Sequence, residues 1–375
     1  MAIEPFRVHV PDEVLDDLRG RLQRTRFLPS IGAAPWSGGI DPAVLRSLVD
    51  DWAHLDWRAH EERLNQYDQF LADVNGHRMH FVRIPAAGSA GQRVPLLLLH
   101  GWPSAFTEYL ALGDRLANPA SYGSDARIAF DVVIPSLPGF LYSELPDRPL
   151  TRQAIADDLH ELMSGVLGYD RYGAFGGDIG GGAATWLGVD RAEHLLGIQL
   201  LNAPFPADET PHSDDERAYL AALEEYDRAD GGYSEIMLSR PDTIAAALND
   251  SPAGLLAWIV DKWHDWVDGD LEHVIAREQL LVLATLYWAT ESIGTSFQQY
   301  FDYEHNRPRP PIVAPVGVYL SREPGFRGFP RSLAERAADD LREFVVAEAG
   351  GHFAGAEHPE PTADAIRGFF GRLLR

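Results

Sequence analysis

The chain has 375 residues, 45% of them apolar, which is enough for the core of one large domain or of two. Its formal net charge of −24 argues against binding to nucleic acid or to anionic membranes, because phosphate groups attract Lys and Arg. The sequence contains no Cys, which excludes disulfides, thiolate metal sites and cysteine nucleophiles.

Neither a signal peptide nor a membrane span is predicted. Residues 1–7 lack the basic start and apolar stretch of a signal peptide, and no run of about 18 apolar residues occurs in the sequence. We therefore expect a cytoplasmic protein that binds no membrane.

The first 66 residues are predicted to be helical and to pack on the rest of the chain. One helix is expected to begin with Asp12 as its cap and to carry an apolar stripe over residues 14–22. After a loop rich in Pro, Gly and Trp, a second helix is expected to begin with Pro42 in its first turn.

Residues 67–205 alternate between strand and helix patterns. Asn75-Gly76 stands between two alternating runs, which is a strong hairpin signal. The continuous apolar run at 94–99 predicts a buried central strand. Further strands are predicted at 128–134, 172–175 and 197–201. Strands that alternate with helices indicate a parallel sheet covered by helices on both faces, which is an α/β fold.

The alternation stops at about residue 206, and the patterns are all helical up to 306. Helices are predicted there at 213–230, 242–249, 252–267 and 277–303. Strands return at 314–320 and 344–349, before a closing helix. The expected organisation is a helical meander (1–66), a first core part (67–205), a helical lid (206–306) and a second core part (307–375).

Asp178 stands between Gly176 and Gly180, which is the Gly-x-nucleophile-x-Gly spacing of a nucleophile elbow. The chain would turn sharply there from strand to helix, and side chains at the flanking positions would clash. The turn would present the carboxylate at a helix N-terminus, at the carboxyl end of the sheet. The alternative is an ordinary glycine-rich turn capped by Asp.

A sheet interrupted by a helical lid, with the elbow before the lid, is the plan of the α/β-hydrolases, whose triad runs nucleophile, acid, histidine. His352 directly follows two glycines after the last strand, and we prefer it to His358, which lies nearer the closing helix. Glu323 is the carboxylate that follows the preceding strand before Glu335, so it is the expected acid.

Backbone N–H groups of Trp102 and Ile179 are expected to form the oxyanion hole, the first in the loop after an early strand and the second next to the nucleophile. His100 precedes the elbow, and we expect it to order its own loop. The sequence has no His-Glu-x-x-His pattern, so neither a metal nor a cofactor is expected.

Three motifs occur in the same order as in a known family. They are His-Gly-Trp-Pro-Ser at 100–104, Gly-Gly-Asp-Ile-Gly-Gly at 176–181 and Gly-Gly-His-Phe-Ala at 350–354. With the stretches 24–26, 56–58, 240–243 and 248–254, they make the chain resemble the epoxide hydrolases of the microsomal and juvenile-hormone type, nearly end to end.

The resemblance implies an enzyme that converts a small-molecule epoxide and water into a vicinal diol. It also implies two lid tyrosines that hold the epoxide oxygen, here Tyr233 and Tyr300, with Tyr303 as a competitor for the second place. Ile179 replaces the Trp that usually follows the nucleophile, and the acid loop is about one residue out of register. The membrane anchor of the animal microsomal enzymes has no counterpart, so the chain is similar to the soluble bacterial members.

An Asp nucleophile would form an alkyl ester of the enzyme, which suits attack on an sp³ carbon. Asp178 would open the epoxide while the two tyrosines donate to its oxygen. Water activated by His352, which Glu323 orients, would then hydrolyse the ester.

Two alternatives and the substrate remain open from the sequence alone. A haloalkane dehalogenase uses the same triad but commonly needs a Trp after the nucleophile, and a non-catalytic binding protein on this fold would lose triad members. An aryl or otherwise bulky epoxide, in detoxification or natural-product biosynthesis, is favoured by the lid residues Trp258, Trp263, Trp266 and Trp288. A homodimer is expected only because dimers are the commonest oligomers.

Overall fold

A mixed β-sheet runs through the protein, whose computed structural model describes residues 3–88, 91–124 and 127–375. The nine strands in these ranges are β1 Ile3–Phe6, β2 Asp68–Val74, β3 His77–Ile84, β4 Gln92–Leu99, β5 Ile128–Pro135, β6 Tyr172–Gly176, β7 Leu195–Leu200, β8 Val316–Leu320 and β9 Leu341–Val346. Their order across the sheet is β1-β2-β3-β5-β4-β6-β7-β8-β9. The pairs from β1 to β5 are antiparallel, and all pairs from β5 to β9 are parallel.

Helices cover the sheet, and further helices form the N-terminal segment and the lid. The N-terminal helices are α1 Asp12–Gln23, α2 Pro42–Ala53 and α3 Trp57–Leu64, and those between strands are α4 Leu110–Ala117, α5 Arg152–His160 and α6 Asp178–Asp190. The lid contains α7 Asp214–Asp230, α8 Gly232–Ser239, α9 Pro241–Asp250, α10 Pro252–Trp266, α11 Leu271–Val274, α12 Arg277–Thr290 and α13 Gln298–Phe301. After the lid come α14 Arg331–Ala337, α15 Ala354–Glu357 and α16 Pro359–Leu373.

The structure confirms the α/β-hydrolase architecture that the sequence predicts. The Asn75-Gly76 turn joins β2 to β3, and β4 lies between β5 and β6 with its last four residues fully buried. The carboxyl ends of these parallel strands meet at one edge of the sheet. The loops that follow β4, β6, β8 and β9 therefore converge there, and each carries a candidate site residue.

Several element boundaries differ from the prediction. Asp12 is the first residue of α1 rather than its cap, and its carboxylate pairs with Arg58 instead. The N-terminal segment is not all helical, because β1 pairs with β2 at the edge of the sheet. Strand β9 ends at Val346, three residues before the predicted end, because its register with β8 pairs Leu320 with Val346.

The long helix predicted over 277–303 is broken. Helix α12 ends at Thr290, and Glu291 takes the left-handed backbone conformation with φ of 52°. The chain resumes helical structure in short pieces that include α13. The break matters for the site because α13 carries Tyr300.

Within the described ranges, no single helix is long and apolar enough to cross a bilayer. The pair α9 and α10, which is bent by 119°, meets the length and composition criteria only when its two helices are taken together.

Candidate active site

The turn between β6 and α6 holds Asp178 in an uncommon backbone conformation, with φ of 49°. A Cβ atom at Gly180 would lie 2.2 Å from the carbonyl oxygen of Leu99 on β4, and one at Gly176 would lie 2.9 Å from the same oxygen. Both glycines are therefore required by the close approach of the turn to the central strand. This is the steric reason that the sequence pattern predicts.

A backbone N–H points at the Asp178 carboxylate. The N–H of Trp102 donates to Oδ1 of Asp178 at 2.9 Å, and a Cβ atom at Gly101 would collide with that carboxylate at 2.2 Å. Ile179 is the second residue of α6, where a helical N–H has no partner within the helix, and its side chain packs in the hydrophobic core. The Asp178 carboxylate thus accepts a hydrogen bond from the Trp102 N–H and lies next to the N-terminus of α6.

His352 and Glu323 form a buried pair at the same edge of the sheet. Their Nδ1 and Oε2 atoms are 2.7 Å apart, and their side chains are 11% and 10% exposed. The backbone N–H of His352 donates to the carbonyl of Trp266 at 2.8 Å, which ties the histidine loop to the end of lid helix α10. The altered register of the acid loop therefore does not keep Glu323 from the histidine.

The pKa of His352 is set by a balance of burial and charge. Burial by itself would lower the pKa, but the neighbouring carboxylates of Glu323, Asp178 and Glu108 raise it to about 9. The imidazole of the free enzyme is therefore protonated at neutral pH. Any loss of negative charge from one of these carboxylates lowers its pKa.

The two lid tyrosines meet above the oxyanion loop. Tyr233 on α8 and Tyr300 on α13 are hydrogen-bonded to each other, with ring centroids 6.4 Å apart. The ring of Trp102 stacks on Tyr233 at 5.5 Å and meets Tyr300 edge-on at 6.1 Å. Burial, and then the charge of Asp178, raise the pKa of both phenols, so both hydroxyls remain protonated donors at neutral pH.

The rival candidates differ from the preferred residues in exposure or in position. Tyr303 is 50% exposed, and it lines a cavity that Asp178 also lines. His358 stands at the start of α16. His100 is buried, and its pKa is lowered to about 4 by burial. Its Nδ1 lies 3.1 Å from the carbonyl of Gly101, and its Nε2 accepts the N–H of Leu137, so it orders its own loop as expected.

Three further residues support the site and were not found from the sequence. Asn202, after β7, accepts the backbone N–H of Asp178 at 2.8 Å, and its own buried Nδ2 has no hydrogen-bond partner among the described residues. Glu357 accepts the N–H groups of Gly351 and Phe353, each at 3.0 Å. Glu108 is a buried carboxylate whose pKa is raised to about 7 by burial. None of the three stands in a recognisable motif, and only the folded loops bring them together.

Two cavities, of about 350 and 790 Å³, meet at the candidate catalytic residues. Both are lined by Asp178, Phe205, Glu323, Phe326 and His352. Tyr233 and Trp266 line the smaller cavity, whereas Arg152, Trp186 and Asn202 line the larger one. Of the lid tryptophans that the sequence offers for a pocket, Trp266 lines this site, and Trp263 is stacked on Phe353 in the core.

Two family models match the chain. Residues 3–109 match the family described as "Epoxide hydrolase N terminus", and residues 96–365 match the family described as "Alpha/beta hydrolase family". The chain therefore belongs to the α/β-hydrolase family.

The relatives narrow that class. The chain is 35% identical to a protein of Stigmatella aurantiaca that is named as a candidate epoxide hydrolase, over 99% of this chain and 86% of that protein. It is 29% identical to epoxide hydrolase 1 of Sus scrofa, over 99% and 89% of the two chains. Within the α/β-hydrolases, the chain is thus an epoxide hydrolase.

Solved structures show the same relationship. The juvenile hormone epoxide hydrolase of the silkworm Bombyx mori superposes with a TM-score of 0.86 at 28% identity, over 100% of this chain and 94% of that one. The epoxide hydrolase of Aspergillus niger gives a TM-score of 0.84 at 29% identity, over 100% and 97% of the two chains.

Proposed function

We propose that this enzyme hydrolyses epoxides through a covalent alkyl ester on Asp178. One observation carries the proposal: the Asp178 carboxylate, to which the N–H of Trp102 donates, and the hydrogen-bonded His352–Glu323 pair line the same two cavities. Tyr233, which is hydrogen-bonded to Tyr300, lines the smaller of these cavities and offers the donors that an epoxide oxygen requires.

In the first half of the reaction, an oxygen of Asp178 attacks one epoxide carbon. The C–O bond of the ring breaks, and the ring oxygen becomes an alkoxide. Tyr233 and Tyr300 stabilise this charge and supply a proton, because their hydroxyls are still protonated when the substrate binds. The product of this half is an ester between Asp178 and the opened substrate.

In the second half, His352 acts as a base. Alkylation removes the negative charge of Asp178, which is one of the charges that hold the pKa of His352 at about 9. The pKa of the imidazole falls, so His352 gives its proton to the tyrosinate left by the first half, and it can then take a proton from water while Glu323 stabilises the resulting cation. The hydroxide attacks the ester carbon, and the N–H groups of Trp102 and Ile179 hold the oxyanion. Collapse of this intermediate breaks the bond between the ester carbon and the alcohol oxygen, the proton of the added hydroxyl passes to that oxygen, and the diol leaves the restored Asp178 carboxylate.

The substrate is an aryl or otherwise bulky epoxide in this proposal. The larger cavity, of about 790 Å³, has room for a drug-sized molecule, and the aromatic side chains of Trp186 and Phe205 line it. The smaller cavity places Tyr233 and Trp266 next to Asp178.

The test is intact mass spectrometry of the His352→Gln variant after incubation with a panel of aryl and alkyl epoxides. We expect a mass gain equal to one epoxide, because ester formation does not need the base but ester hydrolysis does. The matched control is the Asp178→Asn,His352→Gln double variant, which should gain no mass. An unmodified His352→Gln variant with an epoxide that the wild type turns over would refute the ester mechanism.

A further inference from the structure

Arg152 lines the larger cavity together with Asp178, although it has no part in the proposed reaction. It is the first residue of α5, where its N–H donates to Oδ1 of Asn306 at 2.9 Å. Its guanidinium lies over the ring of Tyr303, with Cζ 5.4 Å from the ring centroid, and within the described residues its buried Nε atom has no hydrogen-bond partner. A buried donor of this kind costs free energy unless a ligand satisfies it.

The elbow sequence makes room for this arginine. A Cβ atom at Gly182 would lie 2.6 Å from Cδ and 2.9 Å from Nε of Arg152. Gly182 follows the elbow by one turn of α6, and the tight turn at Gly176 and Gly180 does not involve it. Because Gly182 has no side chain, the Arg152 side chain can lie against α6, the helix that begins with Asp178.

A second arginine in the cavity, Arg309, has no ion pair with a carboxylate in the described part of the chain. Arg309 donates to the carbonyls of Phe205, Pro310 and Ala337 at 2.7, 3.0 and 3.3 Å. Burial, and then the charge of Arg152, lower the pKa of Arg309 to about 10, so the two cations are close enough to repel. The third arginine of the cavity, Arg307, does have an ion pair, with Asp190 at 3.1 Å.

Charge is distributed unequally between the two cavities. Besides the candidate catalytic residues, the acidic side chains of Asp227, Asp230 and Glu235 line the smaller cavity. In the larger cavity the further acidic residues are Glu209 and Glu304, and both are exposed. The arginines of the site thus all line the larger cavity, and among the described residues neither Arg nor Lys lines the smaller one, in a protein whose net charge is −24.

We propose that this enzyme prefers epoxides that carry an anionic group, a carboxylate or a phosphate, and that Arg152 binds this group in the larger cavity. The inference rests on the proposed function, because it assumes that the epoxide ring lies at Asp178. An arginine guanidinium binds a carboxylate or phosphate through paired, charge-assisted hydrogen bonds. Arg152 is then a specificity-determining residue, and Arg309 adds positive charge behind it.

The experiment compares two substrates that differ in one charge, 3-phenylglycidate and its amide. In the Arg152→Gln variant, we expect kcat/KM for the acid to fall by about 10- to 100-fold, the range of a charged hydrogen bond, and kcat/KM for the amide to stay within about threefold. Arg152→Lys should restore part of the preference. The control is Arg217→Gln, because it removes an equal charge from an exposed position on lid helix α7.

Two outcomes would overturn this inference. An equal loss for acid and amide would indicate that Arg152 acts on Tyr300, whose pKa its charge lowers, and not on the substrate. No change for either substrate would indicate that Arg152 does not contact them.

A binding measurement separates this inference from the proposed mechanism. The diol product 2,3-dihydroxy-3-phenylpropanoate and its amide can be titrated against tryptophan fluorescence, with no turnover required. The wild type should bind the acid more tightly, and Arg152→Gln should bind the two alike. Equal affinity in the wild type would refute the anion preference, whatever the ester-trapping experiment shows.

Discussion

The negative charge of Asp178 reaches His352, and this coupling can be measured. Asp178→Asn keeps the shape of the nucleophile and removes its charge, so we expect the pKa of His352 to fall from about 9 by at least about 1 unit. The measurement is an NMR titration of the histidine ring protons. The Glu304→Gln variant, which changes an exposed residue of the larger cavity, should leave the pKa unchanged. If the pKa of His352 is the same in Asp178→Asn as in the wild type, the proposal that alkylation of Asp178 prepares His352 to act as a base is wrong.

Glu108 links the buried site to the pH dependence of stability. Burial raises the pKa of this carboxyl from 4.5 to about 7, so the folded state holds its proton more tightly than the unfolded state does. This contribution to stability is complete below about pH 4.5 and is lost as the pH rises through about 7. Over that interval it amounts to about 3 kcal/mol.

A glutamine side chain cannot ionise, so the Glu108→Gln variant should not lose the stability that the wild type loses when Glu108 gives up its proton. We therefore expect the free energy of unfolding to fall less in the variant than in the wild type between pH 4.5 and 7. Urea unfolding at a series of pH values measures the difference. Glu278→Gln changes an exposed carboxylate that lines the same neighbouring cavity as Glu108, and it should follow the wild type. Parallel curves for Glu108→Gln and the wild type would mean that Glu108 is not buried as a neutral acid.

At the scale of one element, the elbow depends on contacts that leave no space for a methyl group. Gly180→Ala would place a Cβ atom 2.2 Å from the Leu99 carbonyl, so either the central strand or α6 must shift. We expect activity to fall by at least about 100-fold, because a displacement of 1 Å at a catalytic group can cost that much. Epoxide consumption and thermal unfolding together measure the effect.

The control for the elbow is Gly20→Ala in α1. The nearest atom to its added Cβ is the flexible end of Arg24 at 3.4 Å, and alanine favours a helix over glycine by about 1 kcal/mol. This variant should keep full activity and unfold at the same temperature or above. If Gly180→Ala behaves in the same way, the steric account of the elbow is wrong.

Across the whole molecule, the sequence predicts best where a local rule has only one physical solution. The elbow and the Asn75-Gly76 hairpin are such cases, because only glycine fits the close approach or the turn. Strand β1 and the ends of β9 depend on pairing with distant strands, and no local pattern encodes that pairing. Among site residues, Asn202 and Glu357 could not be predicted for the same reason, since each acts through a backbone N–H that the fold brings to it.

The N-terminal helices contact the lid through a buried hydrogen bond and two ion pairs. Trp52 on α2 donates from Nε1 to the hydroxyl of Thr285 on α12 at 2.8 Å, across 233 residues of sequence. The exposed pairs Arg21–Asp250 and Arg277–Asp51 join the same two segments at 2.7 and 2.8 Å. Exposed ion pairs contribute little, so we assign most of the polar stabilisation of this interface to the buried bond from Trp52.

Thr285→Val tests that assignment with a control in the same helix. Thr285 and Thr290 both donate to the carbonyl four residues before them at 2.7 Å. Thr285 also accepts a bond from the buried indole of Trp52, whereas Thr290 shares a bond with the hydroxyl of Ser292 at 2.8 Å. Valine at 285 leaves the indole N–H buried without an acceptor, which should cost about 1–3 kcal/mol more than valine at 290. Urea unfolding of both variants gives this difference. Because the lid carries Tyr233 and Tyr300, Thr285→Val should also lose epoxide turnover at a urea concentration below that at which the core unfolds. If the two variants lose equal amounts of stability, the lid does not depend on the bond from Trp52.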